Sequence, residues 1–175
     1  MILDLRQLEE FPARMTIEAD PEKFSLDYDG VQQVKQVTVD LIVQQTGEEY
    51  YCHGTVDAVL DLECARCLVV FEARLQSDID FFASPEGLHE DEDGAIQDDE
   101  DYAWLQGDSL RADITDVVRQ AVILAIDLKP LCDEQCKGLC PQCGCNLNEE
   151  DCDCQTERID PRWEALKKLK EQQND

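Results

Sequence analysis

The chain has 175 residues with ten cysteines, and its 41 acidic and 15 basic side chains give a formal net charge of −26. Nucleic-acid binding depends on Lys and Arg that neutralise phosphates, so this charge argues against a broad RNA- or DNA-binding surface. A basic protein partner is its natural counterpart, and the alternative is an acidic surface that serves solubility only. No apolar run approaches the roughly 20 residues of a membrane helix, and the N-terminus lacks the pattern of a signal peptide. We therefore expect a cytoplasmic protein that does not bind membranes and keeps its thiols reduced.

The first eighty residues predict an antiparallel sheet, because three stretches alternate apolar and polar residues with the period of a β-strand. Two weaker candidates lie at 15–17 and 24–28. The segment Cys64-Ala65-Arg66-Cys67 falls between the second and third stretches, where a hairpin must turn. The apolar faces are Val37, Val39, Leu41 and Val43, then Val56, Ala58, Leu60 and Leu62, then Val69, Phe71, Ala73, Leu75, Ile79 and Phe81.

A strongly acidic stretch follows the sheet. Residues 86–101 hold nine acidic side chains and no Lys or Arg, which predicts a mobile loop. A helix follows, with Asp113 as its cap and with Pro130 as its end. Its apolar stripe is typical of packing against a sheet: Ile114, Val117, Val118, Ala121, Val122 and Ala125. Asp160-Pro161 predicts a short final helix with Trp163, Leu166 and Leu169 on one side.

Between these helices lies a cysteine-rich segment with almost no apolar residues of its own. It contains Cys132, Cys136, Cys140, Cys143, Cys145, Cys152 and Cys154. Zinc bound by four thiolates supplies enough free energy to fold such a segment, about 10–16 kcal/mol in favourable peptides. We therefore predict a structural zinc knuckle with about one zinc per chain.

The sequence leaves the choice of four ligands open. Cys140 and Cys143, in a tight Cys-x-x-Cys turn followed by Gly144, form the best pair. The second pair is Cys132 and Cys136 or, alternatively, Cys152 and Cys154. With Cys145 treated as a spare, six candidates also permit a second ion or an exchange of ligands. An iron–sulfur site is a further alternative, since thiolates accept either metal.

The pair Cys64 and Cys67 has three interpretations. It could be a redox pair, although such pairs favour a helix N-terminus, where the dipole lowers the pKa of the first thiol. It could be a pair of zinc ligands that shares a site with two cysteines of the C-terminal segment. It could also be a tight turn in which small thiols simply fit. These residues are therefore weaker metal candidates than the C-terminal six.

Nothing in the sequence indicates catalysis. It contains no Ser/His/Asp set, phosphate-binding glycine loop or paired-histidine metal motif, and the carboxylates lie in runs that favour solvent. Cys52 is expected in a strand, with His53 at the surface beside it. We expect neither an enzyme nor a small-molecule substrate.

The order of these motifs is similar to that of a known family. LDLECARCL in a hairpin, an acidic insertion, an apolar helix, LCDEQCKGLCPQCGCNLN, CDC and DPRWEALKKL together resemble the YceD family, the large-subunit ribosomal RNA accumulation proteins. The resemblance implies a non-enzymatic factor that supports the accumulation or processing of large-subunit (23S) rRNA. The alternative is a thiol-redox or metal-transfer protein that uses Cys64 and Cys67.

We thus expect an α+β fold with an antiparallel, barrel-like or curled sheet, one packed helix and a C-terminal zinc-knuckle segment. The predicted domains are a core at 1–128, with an acidic loop inserted at 84–108, and a metal-binding segment with the final helix at 129–175. The expected partner is a basic large-subunit ribosomal protein or a pre-ribosomal particle. Direct rRNA contact would be local, through Arg158, Arg162, Lys167, Lys168 and Lys170.

Overall fold

A computed structural model of the chain describes residues 1–85 and 102–154. The chain forms two compact units. The first contains Met1–Ala65 and Val69–Cys132, and the second contains Arg66–Leu68 and the chain from Asp133 onward. Within the described ranges, no helix combines the length and the apolar character that crossing a bilayer requires.

In the described ranges, the first unit is built on a seven-stranded sheet. Two short 3-10 turns, Leu5–Gln7 and Gly107–Ser109, connect some of its strands, and a helix follows the last strand. The strands are β1 (Ile2–Asp4), β2 (Ala13–Glu18), β3 (Val31–Thr46), β4 (Glu49–Glu63), β5 (Val70–Pro85), β6 (Tyr102–Leu105) and β7 (Arg111–Asp113), and the helix is α1 (Thr115–Ala125).

The strand order is β1-β7-β6-β5-β4-β3-β2. All neighbouring pairs are antiparallel except β5 and β6, which run parallel with Phe82 opposite Tyr102. The sheet curls so far that Met1, just before β1, and Glu18, at the end of β2, line the same cavity of about 330 Å³. The first unit is therefore mostly sheet, nearly closed and barrel-like, as the sequence predicted.

The core lies on the face of the sheet that the period-two patterns predicted. The four apolar residues of the first stretch and the four of the second are each at most 3% exposed. In the third stretch Ile79 and Phe81 are buried, whereas Val69 is 42% exposed and lies in the turn. The apolar faces of β3 and β4 were thus predicted correctly.

Gly54 allows strands β3 and β4 to approach each other closely. It pairs with Leu41 on β3, and a Cβ atom at this position would lie only 1.9 Å from the carbonyl oxygen of Asp40. Any larger residue would force β3 and β4 apart. A glycine inside a strand is often explained by such a close backbone approach.

The helix α1 packs through the residues that its pattern indicated. Val118, Ala121 and Val122 are buried. The helix begins one residue later than a cap at Asp113 implies, because Ile114 occupies the N-cap position. Asp113 nevertheless accepts a hydrogen bond from the backbone N–H of Thr115 at 2.9 Å, so its carboxylate still satisfies a backbone donor at the start of the helix.

Other sequence predictions need correction or lie outside the described residues. The weak candidate at 15–17 is part of β2, but 24–28 form no strand. Strands β1, β6 and β7 were missed, and β6 falls inside the stretch 84–108 that was predicted to be a loop. The acidic run 86–101, the final helix and its basic residues lie outside the described ranges.

Candidate metal centre

The turn between β4 and β5 presents the first two thiols. The backbone N–H of Cys64 bonds to the carbonyl oxygen of Val69 at 3.0 Å, and that of Ala65 bonds to Pro130 at 2.8 Å. Leu68 adopts a left-handed φ of 59°, which lets the chain reverse within a few residues. Cys64 and Cys67 are 0% and 4% exposed. The backbone thus holds both side chains away from solvent.

Two further cysteines come close to this pair. The sulfur atoms of Cys64, Cys67, Cys132 and Cys136 all lie within 4.8 Å of one another. Cys136 is buried, like the first two, and Cys132 is exposed. Four thiols at such distances match the ligand number and type of a structural Zn²⁺ site. We call these residues the first thiol group.

Arg66, in the middle of the Cys-x-x-Cys turn, binds the cysteine-rich backbone. Its Nη1 donates to the carbonyl oxygen of Cys136 at 2.8 Å, and its own carbonyl oxygen accepts from the N–H of Leu139 at 3.1 Å. Gly138 passes so close that a Cβ there would lie 3.0 Å from the Arg66 oxygen, and its φ is 81°. The role of Arg66 as a positioning residue was not predicted from the sequence.

Asn148 is a second positioning residue that was not predicted from the sequence. Its Oδ1 accepts from the N–H of Lys137 at 2.7 Å, and its Nδ2 lies 3.3 Å from the sulfur of Cys136. Asn148 thus connects the sulfur of Cys136 with the backbone of the next residue. The Asn-Leu-Asn sequence at 146–148 is the signal that could have pointed to it.

The second Cys-x-x-Cys forms a tight knuckle. The N–H of Gly144 bonds to the carbonyl oxygen of Cys140 at 2.9 Å, and the N–H of Cys140 bonds to the carbonyl oxygen of Cys145 at 2.8 Å. Gly144 has a φ of 76°, a conformation that a glycine adopts without strain. These bonds fold the chain back on itself around the Cys140 side chain, which is buried.

Backbone donors inside the knuckle favour thiolates. The N–H groups of Cys143 and Gln142 bond to the sulfur of Cys140 and lower the pKa of this thiol to about 6. The backbone N–H of Cys145 likewise lowers the pKa of Cys143. Cys140 can therefore be a thiolate at neutral pH even before a cation arrives, and a bound dication would strengthen this preference.

The knuckle gathers more sulfurs than one tetrahedral ion needs. The sulfur atoms of Cys140, Cys143, Cys145 and Cys152 lie within 4.8 Å of one another, and we call them the second thiol group. Cys154 is outside this group, but its thiol interacts with Cys143, which raises the pKa of Cys154 to about 12. The Cys143 sulfur also raises the pKa of Cys145 to about 12. Neighbouring thiolates repel each other because they carry like charges, and this repulsion raises the pKa of the remaining thiols. A bound cation relieves it.

The structure therefore places all eight predicted metal candidates beside at least one other thiol. Cys132 and Cys136 lie with the hairpin pair, and Cys140, Cys143 and Cys152 lie together. Cys145, which the sequence treated as a spare, belongs to the second group. Cys52 belongs to neither group, and burial raises the pKa of its thiol to about 12. Both thiol groups could hold a metal ion.

The chain is similar to known proteins over most of its length. The family model described as "Large ribosomal RNA subunit accumulation protein YceD" matches residues 52–170, which include every cysteine of both thiol groups. The chain belongs to the YceD family. No solved structure matches it significantly.

Relatives of this YceD-family chain occur in bacteria and plants. An uncharacterised protein of Mycobacterium tuberculosis is 32% identical over 95% of this chain and 79% of its own length. The chloroplastic "Large ribosomal RNA subunit accumulation protein YCED homolog 1" of Arabidopsis thaliana is 31% identical over 78% of this chain and 49% of its own length. The maize homolog of the same name is 25% identical over 77% of the chain.

Proposed function

We propose that the chain is a non-enzymatic ribosome biogenesis factor that supports the accumulation of large-subunit (23S) rRNA. Membership of the YceD family carries this proposal, because the family and its plant members are named for that role. The proposed location is the cytoplasm, where large-subunit precursors of a bacterial cell are assembled.

We further propose that the factor acts by binding a basic ribosomal protein, alone or within a pre-ribosomal particle. The net charge of −26 supports this choice of partner, since an acidic surface attracts cationic proteins and repels phosphate backbones. Any direct contact with rRNA is local in this proposal.

Affinity capture tests the choice of partner. The full-length, tagged protein is captured from cells with and without nuclease treatment, and ribosomal proteins are identified in both samples. Basic large-subunit proteins retained after nuclease support the proposal. Loss of all ribosomal proteins with the RNA would contradict binding to protein. Depletion of the factor should lower the ratio of 23S to 16S rRNA, and an unchanged ratio would contradict the biogenesis role itself.

The proposed cofactor is structural zinc, with one ion in each thiol group. Thiolate ligands, buried sulfurs and backbone donors to sulfur are typical of such sites. The ligands would be Cys64, Cys67, Cys132 and Cys136 for one ion, and Cys140, Cys143 and Cys152 with Cys145 or Cys154 for the other. The zinc would fix the backbone of a segment that has little apolar core.

A redox role for Cys64 and Cys67 has less support. Thiol–disulfide exchange requires a thiolate that a partner can reach, and both side chains are nearly inaccessible to solvent. Their sulfurs also lie within 4.8 Å of two further thiols, which is the arrangement of a metal site. Mild oxidation that forms a reversible Cys64–Cys67 disulfide in the zinc-loaded protein would favour the redox role instead.

A further inference from the structure

An unusual row of aromatic side chains crosses the face of the sheet that points away from the core. Tyr51 contacts Phe82 with ring centroids 5.2 Å apart, and Phe82 stacks on Tyr102 at 5.6 Å. His53 stacks on Tyr51 at 5.3 Å, and Trp104 stacks on Tyr102 at 5.5 Å. We call these five side chains, on β4, β5 and β6, the aromatic row.

The aromatic row is not part of the hydrophobic core. Its neighbours along the strands, Cys52, Phe81 and Ala103, point into the core and are at most 3% exposed. Because side chains alternate between faces, the row lies on the opposite face, where all five members are half-buried. Cross-strand aromatic pairs stabilise a sheet, and the partly exposed rings of Tyr51, His53 and Phe82 also present a contact surface on the outward face.

Carboxylates adjoin the row, and the three strands that carry it contain few cations. Asp80 pairs with His53 in the β4–β5 register, and Asp78 pairs with Thr55. Both carboxylates are exposed, and within the described residues no ion pair engages them. Strands β4 and β6 contain no Lys or Arg, and β5 contains only Arg74, which pairs with Glu72.

This combination of groups selects for a cationic ligand. The faces of aromatic rings attract guanidinium and ammonium groups, and Arg also stacks on them. The neighbouring carboxylates attract the same groups and repel phosphates, so single-stranded RNA, whose bases could also stack, is disfavoured on this face. The row spans two strand spacings, about 10 Å, and alternate side chains of an extended peptide lie about 7 Å apart. Two basic side chains of such a peptide therefore fit along it.

We propose that the aromatic row with Asp78 and Asp80 is the docking surface for an extended, Arg-rich segment of a protein partner. This inference rests on the proposed function, in which the partner is a basic ribosomal protein, and it identifies the surface that binds. Arg side chains lie against the rings of Tyr51 and Phe82, and the two carboxylates bind their guanidinium groups.

Two fluorescent nonapeptides probe the surface, one of alternating Arg and Ser and one of alternating Lys and Ser. Fluorescence anisotropy measures their binding to the full-length zinc-loaded protein. The double variant Asp78→Asn, Asp80→Asn should weaken binding of the Arg peptide at least fivefold. The matched control Asp27→Asn, Asp29→Asn removes the same charge from the exposed loop that precedes β3. It should change the affinity for the Arg peptide less than twofold. Equal losses in both double variants would show that only the overall charge matters and would overturn the proposal.

The rings are tested separately. Wild-type protein should prefer the Arg peptide over the Lys peptide, and the double variant Tyr51→Leu, Phe82→Leu should lose this preference. A purely structural role would lower both affinities together with the melting temperature and leave their ratio unchanged, which would overturn the proposal. Binding of a uridine dodecamer that the Arg peptide displaces would show an RNA surface instead.

Affinity capture from cells distinguishes a failure of the surface assignment from a failure of the proposed function on which it rests. If wild-type protein retains a basic ribosomal protein and the Asp78, Asp80 variant retains it equally well, the partner binds elsewhere and the surface assignment fails alone. If wild-type protein retains no ribosomal protein although the Arg peptide binds the row, the proposed function fails while the surface stands.

Discussion

Arg66 donates a hydrogen bond through Nη1 to the carbonyl oxygen of Cys136 at 2.8 Å, across 70 positions of the sequence. The bond fixes the backbone beside a cysteine of the first thiol group. Replacing Arg66 with Ala should therefore weaken zinc binding by roughly 10–100-fold, the range typical of lost partners around metal ligands. Competition with a chromogenic chelator measures this affinity.

The matched control is Arg74→Ala, which removes an arginine from the exposed surface of β5, where among the described residues it pairs only with Glu72. Its zinc affinity should equal that of the wild type. Arg66→Lys should resemble Arg66→Ala, because an ammonium group cannot reproduce the planar fork of the guanidinium. An Arg66→Ala protein with unchanged zinc affinity would refute the positioning role.

The number of zinc ions provides a second prediction. The sequence predicted about one zinc ion per chain. The structure has two thiol groups, each with four sulfurs within 4.8 Å of one another, and therefore predicts two. Metal analysis of the purified protein measures this number. Cys140→Ser, Cys143→Ser should reduce the content to one, and so should Cys67→Ser, Cys136→Ser. Cys52→Ala, whose thiol lies in neither group, should retain two. A wild-type content of one would mean that only one group is a metal site.

The third prediction concerns the contact between strands β3 and β4. Gly54→Ala would place a methyl carbon about 1.9 Å from the Asp40 carbonyl oxygen, so β3 and β4 must shift. We expect the free energy of unfolding to fall by about 1–3 kcal/mol, as for other overpacked sites. Urea denaturation of the zinc-loaded protein measures it.

Gly47→Ala is the comparison for Gly54→Ala. Gly47 has open space around its Cβ position but a φ of 69°. Replacing it with Ala should lower the free energy of unfolding by about 1–2 kcal/mol, the cost of a left-handed conformation alone. The crystal structure of Gly54→Ala should also show the β3–β4 distance increased near Leu41. An unshifted sheet of wild-type stability would contradict the close approach.

The start of α1 predicts a pH dependence. Burial raises the pKa of Asp113, but hydrogen bonds from the hydroxyl and backbone N–H of Thr115 outweigh this effect, so that the net pKa is lowered from 3.8. A lowered pKa means that the charged form stabilises the fold. This contribution is fully present above pH 3.8 and is lost as the pH falls through the lowered pKa.

Asp113→Ala should therefore lower the free energy of unfolding at pH 7 by about 0.5–1 kcal/mol. This value is in the lower part of the range for lost helix caps, because the carboxylate is largely exposed and solvent screens its charge. The difference from wild type should shrink below pH 3.8. Urea denaturation of both proteins in chelator at each pH measures it without interference from zinc. Asp116→Ala, in the first turn of α1, is the control, and an equal pH dependence there would contradict the assignment to Asp113.

The elements that the sequence predicted best are those whose pattern is local. Val37 to Val43 and Val56 to Leu62 alternate for long enough to specify both the strand and its buried face. Strands β1, β6 and β7 have only three or four residues each, too few for a period to emerge. Their place depends on pairing with distant strands, as in the parallel pair of β5 and β6.

The thiol groups show the same division between local and distant information. Spacing identified Cys140 and Cys143 as a pair, because the turn between them is local. It could not show that Cys132 and Cys136 lie beside the hairpin pair, nor that Cys145 lies closer to the knuckle thiols than Cys154 does. The bond from Arg66 to Cys136 determines part of this arrangement, and sequence spacing does not reveal hydrogen bonds over such separations.

Removal of zinc is the last prediction, and it follows from the different cores of the two units. The first unit has a continuous core of buried apolar side chains from the sheet and α1. Among residues 133–154 the buried positions are only Cys136, Gly138 and Cys140. Folding this segment costs conformational entropy, and without the metal there is little apolar burial to offset that cost.

Chelation should therefore release residues 133–154 while the sheet remains folded. Hydrogen exchange followed by mass spectrometry should show rapid exchange of the amides of Cys140 and Gly144, which are hydrogen-bonded in the knuckle, and unchanged protection in β3 and β4. Readdition of zinc should restore the slow exchange. Slow exchange of the knuckle amides in excess chelator would show that apolar packing and hydrogen bonds suffice, and that the thiols do not fold this segment through a metal.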